Sequence, residues 1–335
     1  MTERQMWLKD WLSGFSDRYG LKLDTMRTAS ADAGFRSYFR IDGKETTYIV
    51  MDSPGEADNI APFIHADEVF AQAGLNVPKI YEENRELGLM LISDLGTKTY
   101  LDVLDHDNAD RLMGQATDAL VKLQAASKPD VFPAYSAELL RSELELFPQW
   151  FVKRHLGMEI TPELRSMFDR TFALIIAKNL DQANVYVHRD FMPRNLMLTE
   201  KGNPGVIDFQ DAVYGPVSYD IACLCRDAFI SWEETQTLDW TIRYWEKARK
   251  AGVPVPSDFG RFWEDVEWMA IQRHLKVLGI FARLNYRDGK PKYLGDTPRF
   301  LNYVKATSRR FDALRPLSRF IDTIIGEQEQ VGYTF

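Results

Sequence analysis

The spacing of apolar residues changes character near residue 96 of this chain, from short alternating runs to long helical series. Trp7, Leu8, Trp11, Leu12, Phe15 and Tyr19 recur at helical spacing. Phe35, Phe39 and Ile41, then Tyr48 to Met51, read as two strands joined by a turn at Asp42-Gly43-Lys44. A helix is predicted from Asn59 to Ala73, with Ile60, Phe63, Ile64 and Phe70 apolar, and two more strands over Val77–Tyr81 and Leu87–Ile92. Beyond Gly96 the apolar series are helical, through 110–126, 137–156, 161–180, 217–250 and 258–285. The pattern predicts an α+β fold in two lobes: a small antiparallel-sheet lobe over 1–95 and a mostly helical lobe over 96–335, meeting near 93–96. There is no internal repeat and no low-complexity tract.

Composition agrees. At 335 residues the chain exceeds the size one hydrophobic core usually serves, and 45% hydrophobic residues are ample to fill two. No apolar run is long enough to span a bilayer, and Met1-Thr2-Glu3-Arg4-Gln5 lacks a signal-peptide core, so a cytoplasmic monomer without a membrane partner is expected. The two cysteines, Cys223 and Cys225, sit in the apolar run Ile221–Cys225 and support neither a disulfide framework nor a zinc site. A net charge of -8 argues against a nucleic-acid partner.

Chemistry concentrates in Val187-His188-Arg189-Asp190-Phe191-Met192-Pro193-Arg194-Asn195-Leu196-Met197-Leu198, followed by Val206-Ile207-Asp208-Phe209. Phosphoryl transfer needs little covalent chemistry from a protein; it needs positioned metal and a positioned nucleophile. Asp190 is placed to accept the proton or hydrogen bond of an acceptor hydroxyl. Asn195 and Asp208 offer hard oxygen ligands for Mg²⁺. Leu196–Leu198 and Gly205–Ile207 read as the arms of a hairpin turned at Glu200–Gly205, which would carry Asp208 back beside Asn195. Taken singly, each residue has a bland reading, since an Asp after an apolar strand often caps the next turn. The combination at this spacing points to a kinase.

His188-Arg189-Asp190 through Asn195, Ile207-Asp208-Phe209-Gln210-Asp211, and Tyr214-Gly215-Pro216 through Tyr219-Asp220-Ile221-Ala222 together resemble the aminoglycoside phosphotransferase and choline kinase superfamily, over nearly the whole chain. With the run Gln272 to Gly279, they are most similar to its bacterial amino-sugar kinases, which phosphorylate the anomeric hydroxyl of N-acetylmuramate and N-acetylglucosamine. The resemblance implies a protein-kinase-like fold, ATP and Mg²⁺ as cofactors, and a small-molecule amino-sugar substrate. It places the adenine edge on the backbone of the connecting segment, at Ile92, Asp94 and Leu95, and the phosphates under the loop containing Gly34, Phe35, Arg36 and Ser37. Small residues there let backbone N–H groups approach closely. Neither a Rossmann nor a Walker phosphate motif is present.

One departure matters. Protein kinases carry a lysine on the third strand that pairs with the phosphates and a helix glutamate; this chain has Met51 there, although the helix offers Glu68. Either another cation reaches the phosphates, with Arg36 or Arg40 on the neighbouring strand the candidates, or the metal neutralises them without help. Arg194 and Asp211 are expected to face the acceptor, while His188, Arg189 and Asp220 are expected to brace the loop. Residues 273–299 hold seven basic side chains against Asp288 and Asp296, which disfavours a cationic acceptor. Arg273 is the candidate to grip a lactyl carboxylate with two hydrogen bonds. A kinase for choline, homoserine or an aminoglycoside, or a nucleotide-binding module without catalysis, stays open at this point.

Overall fold

A computed structural model describes residues 3–31, 36–55 and 60–329. The chain forms two compact units. One comprises 1–104 together with 194–211; the other comprises 105–193 together with 212–335. The linear division at residue 95 put the hairpin in the helical lobe, whereas here residues 194–211 cluster with the unit that holds the sheet.

The first unit is built on a five-stranded antiparallel sheet: β1 (Lys22–Ala31), β2 (Ser37–Asp42), β3 (Thr47–Asp52), β4 (Ile80–Asn84) and β5 (Leu89–Ser93), in the order β1-β2-β3-β5-β4. The central β2 (SYFRID) and β3 (TYIVMD) are rich in β-branched and aromatic residues, and alternate side chains divide between the faces of the sheet. Tyr48 and Val50 of β3 and Leu89 and Leu91 of β5 pack with Leu8 and Leu12 of the helix Glu3–Ser13. Ile49 and Ile92, paired in register, project from the other face. Trp7, expected in the apolar stripe of that helix, is 45% exposed, and the helical series breaks after Ser13, resuming only as the turn Ser16–Tyr19. The helix Ala61–Gln72 follows β3 as predicted.

The second unit is helical. Ala109–Ala125, Pro162–Leu180 and Phe259–Tyr286 follow the predicted series, with Thr161 and Asp258 capping the latter two through their side chains. The series 137–156 divides into Ala137–Leu144 and a π-helical stretch Phe147–His155; that at 217–250 divides into Tyr219–Cys225 and Glu234–Lys250. Two further helices, Thr297–Ser308 and Arg315–Glu329, close an aromatic core around Phe147, Phe168, Leu278 and Phe300. Gly279 lets Phe259–Tyr286 approach the chain at Leu146, because a Cβ there would overlap the Leu146 backbone. Among the described residues no helix is long and apolar enough to cross a membrane.

Candidate active site

In the first unit the hairpin pairs β7 (Leu196–Met197) with β8 (Gly205–Val206). Its outer bonds explain why it joins this unit: Val206 N donates to Asn76 O (2.7 Å) and Leu198 N to Lys98 O (2.8 Å). Ile207 N donates to Asn195 O (3.1 Å), and Asn195 Nδ2 reaches Asp208 Oδ2 at 3.3 Å. The two side chains read as metal ligands therefore meet at the end of the hairpin. Asp208 has a left-handed backbone (φ 67°), an unfavourable conformation for a non-glycine residue that neighbouring packing must enforce. Phe209 supplies that packing, lodged against Phe63 and Phe70 at ring distances of 4.9 and 5.3 Å. Gln210 Nε2 donates to Asp208 Oδ1 (2.9 Å).

Beside this pair lies a cavity of about 290 Å³. Ile49, Ile92, Met197 and Ile207 give it apolar walls, and Arg194, Asn195 and Asp208 line it as well. The connecting segment Ser93–Gly96 forms part of its rim and is tightly tied. Asp94 Oδ2 accepts from Arg40 Nε (2.5 Å) and Thr47 Oγ1 (2.6 Å), and Oδ1 accepts from Arg40 Nη2 (3.0 Å) and Gly96 N (2.9 Å). Burial alone would raise the Asp94 pKa; the bonds from Arg40, Thr47 and Gly96 outweigh it and hold the carboxyl below its ordinary range. Arg40 Nη2 also donates to Gly96 O (2.7 Å). Arg40, expected as a cation for phosphates, thus lines the cavity with its fork committed to the connector.

Of the other expected nucleotide contacts, Ile92, Asp94 and Leu95 line the cavity. Arg36 and Ser37 do not, although they lie at the start of β2, and Gly34 and Phe35 lie outside the described residues. Met51 is fully buried and Glu68 is exposed. Sequence reasoning missed Asp67, which shares a helix face with Phe63 and Phe70. It is buried with Oδ1 unpartnered, and burial, aided by Glu68, pushes its carboxyl up to about 7. Asp211 is exposed at the end of the unit.

The second unit carries Asp190. Strand β6 (Asn184–Val187) pairs with β9 (Val213–Pro216) and delivers the chain to His188. The backbone N–H groups of His188 and Arg189 donate to the two oxygens of Asp220 (2.7 and 3.1 Å). Burial drives the Asp220 carboxyl up to about 7 despite those two bonds. Arg189 adopts φ 76°, and Asp190 N donates to His188 Nδ1 (3.3 Å), so the half-buried Asp190 sits on a tightly bent backbone.

The Arg189 side chain is anchored as well. Its Nη2 donates to Glu143 Oε1 (2.6 Å), which also accepts from Lys276 Nζ (2.9 Å); the Tyr135 hydroxyl donates to Oε2. Lys276 Nζ further reaches the Tyr219 hydroxyl (3.2 Å). Burial works to neutralise Glu143, but Lys276 and Arg189 hold its carboxyl below the usual range. The only sequence signal for Glu143 is its place on the apolar stripe of Ala137–Leu144, beside Leu140 and Leu144.

Arg273, expected to reach an acceptor carboxylate, is 2% exposed. Its bonds are weak, to Arg226 O (3.4 Å) and Met192 Sδ (4.0 Å). Burial opposes its charge, while Cys223, Tyr219, Asp190 and Asp227 favour it strongly enough to raise its pKa. Nor do the basic residues 273–299 form one surface: Lys276 is buried, and Arg287 and Arg299 pair with Asp288 and Asp296.

Residues 25–255 match a model of the phosphotransferase enzyme family. The chain is 45% identical to the N-acetylmuramate/N-acetylglucosamine kinase of Neisseria meningitidis serogroup B, over 99% of this chain and 100% of the relative. It is 47% identical to the protein of the same name from Pseudomonas putida, over 89% and 87% of the two chains. Among solved structures, it is similar to the choline kinase LicA from Streptococcus pneumoniae, with a TM-score of 0.64 at 14% identity over 90% of this chain and 99% of that one. An ADP-bound aminoglycoside phosphotransferase, APH(2'')-Ib, gives 0.56 at 15% identity over 88% and 97%. The fold is therefore the α+β protein-kinase-like fold of those enzymes, as the family resemblance implied.

Proposed function

We propose that this chain, which belongs to the phosphotransferase enzyme family, transfers the γ-phosphoryl group of ATP to the anomeric C1 hydroxyl of N-acetylmuramate and N-acetylglucosamine, giving the α-1-phosphates. The single observation carrying the acceptor is the 45% identity, end to end, with a relative named for those two sugars. The donor and the reaction type are supported by the cavity beside Asn195 and Asp208 and by the braced Asp190.

In this reading the adenine lies against Ile49, Ile92, Met197 and Ile207, its edge bonded to the backbone of Ile92–Leu95, which Arg40 and Asp94 hold rigid. Asn195 and Asp208 would hold Mg²⁺. The fit is chemical: one carboxylate and one amide oxygen suit an ion that takes its remaining ligands from phosphates and water. Bound there, Mg²⁺ would neutralise charge on the phosphate oxygens.

Asp190 accepts the hydrogen bond of the C1 hydroxyl and its proton as the new bond forms. Its aim depends on the backbone bonds from His188 and Arg189 to Asp220 and on the anchoring of Arg189 by Glu143. Arg273 holds this loop from behind through its charge, which replaces the lactyl grip expected from sequence; Asp211, exposed, remains a candidate on the acceptor side. The test is a panel of N-acetylmuramate, N-acetylglucosamine, choline, homoserine and an aminoglycoside with ATP and Mg²⁺, read by phosphorus NMR. Anomeric phosphate from the two sugars is expected. Product from another acceptor alone refutes the sugar assignment, and nucleotide binding without product from any acceptor refutes catalysis.

A further inference from the structure

The cavity lacks the cation that a third-strand lysine would supply. Met51 lies on the same face of β3 as Ile49, which lines the cavity, so the geometry at that position is right and only the charge is missing. Among the described residues two cations line the cavity, Arg40 and Arg194. Arg40 is neutralised: Nε and Nη2 meet both oxygens of Asp94, and Nη2 also serves Gly96 O. Asp208 also lines the cavity; the Mg²⁺ proposed there would offset its charge and part of that on the phosphates, leaving the rest of a triphosphate's charge without a partner. Arg194 is half-buried, lines the cavity, and directly precedes Asn195 in the short 3-10 turn Pro193–Asn195.

We propose that Arg194 binds the phosphates of the nucleotide, supplying from the hairpin the cation that the sheet supplies in a kinase with a third-strand lysine. This rests on reading the cavity as the ATP site. It moves Arg194 from the acceptor side, where sequence spacing put it, to the donor side. A guanidinium suits the role, because its fork matches two phosphate oxygens at once where an ammonium offers a point charge. One three-residue turn then carries both the phosphate cation and the amide proposed for the metal, and the β3 position is free to be apolar.

The role is read from binding alone, by calorimetry with adenosine, AMP, ADP and ATP and no acceptor present. The wild-type protein should gain affinity as phosphates are added. In Arg194→Gln, adenosine affinity should stay within about twofold, while ATP weakens by roughly 10- to 100-fold, the scale of a lost charge-assisted pair of hydrogen bonds. Arg194→Lys should recover part of the loss. Arg40→Ala should weaken all four ligands alike, since it loosens the connector. Retained adenosine binding shows that a variant is folded; if Arg194→Gln does not fold, the uncharged Arg194→Met is read in its place. An unchanged ratio of ATP to adenosine affinity in the folded Arg194 variant overturns the inference, and a collapsed ratio in Arg36→Ala alone transfers the role to Arg36. If the wild-type protein itself prefers ATP no more than adenosine, the ATP-site reading fails as well, which separates the two failures.

Discussion

Replacing Glu143 by glutamine keeps the shape of the side chain and removes the charge shared by Arg189 and Lys276. Glu143 Oε1 lies 2.6 Å from Arg189 Nη2 and 2.9 Å from Lys276 Nζ, with the acid and the lysine both buried. Removing one partner of a buried ion pair leaves the other charge uncompensated, at a cost of about 3–5 kcal/mol. The amide oxygen of Gln can still accept one hydrogen bond, so the lower end, about 3 kcal/mol, is expected. Equilibrium unfolding in urea should show this as a lower midpoint at an unchanged slope. Lys276→Met in the same background should then cost less than it does alone, because it removes one of the two stranded cations. A coupling of at least about 1 kcal/mol is expected in that double-mutant cycle. Arg189 adjoins Asp190, so kcat should fall while the KM for ATP holds. Glu143→Gln within 0.5 kcal/mol of the parent, or strict additivity with Lys276→Met, would refute the argument that this carboxylate anchors the loop.

Asp190→Asn should lower turnover by about 10²–10⁴ with nucleotide affinity largely intact, and near-normal turnover would remove Asp190 as the base. The Asp67 carboxyl is pushed up to about 7 in the folded protein from an ordinary 3.8, so the folded state keeps a proton that the unfolded chain releases between those values. Its contribution to stability is full below about pH 4 and is lost as pH rises through 7; Asp67→Asn should therefore gain stability over the parent between pH 5 and pH 8, on the order of 2 kcal/mol, and parallel melting profiles would contradict this. Asp220 and Asp265 shift in the same direction, which is why the difference between variant and parent, and not the parent profile, is the quantity to measure. Gly279→Ala should destabilise by about 1–3 kcal/mol, since the new methyl must displace the Leu146 backbone; a stability gain, as for an ordinary helix glycine, would exclude that close approach.

What could be read from sequence was what short-range rules govern. The turn Glu200–Gly205 and the apolar arms beside it predicted the hairpin, and with it the meeting of Asn195 and Asp208, because turn chemistry and strand period act over a few residues. What was not legible depends on partners far along the chain. Arg40 looked available because its counter-charge, Asp94, is 54 residues away, and Arg189 meets Glu143 across 46. Arg273 read as a side chain reaching an acceptor carboxylate, since no periodicity distinguishes an arginine buried among Asp190, Asp227 and Cys223 from one that faces a ligand. The N-terminal series was misjudged for the opposite reason: Trp7 fits the helical period yet is left 45% exposed.

The sheet-bearing unit is interrupted in the chain, with 89 residues between its two pieces (105 to 193) belonging to the other unit. A ribosome making this protein releases the five strands long before Asn195 to Val206, which must return to bond Asn76 across 130 positions. Until then one wall of the cavity is missing, so a fragment ending at residue 104 would be an incomplete receptor whatever its own stability. Nascent chains would therefore complete the cavity only late in translation, once that long covalent loop has closed.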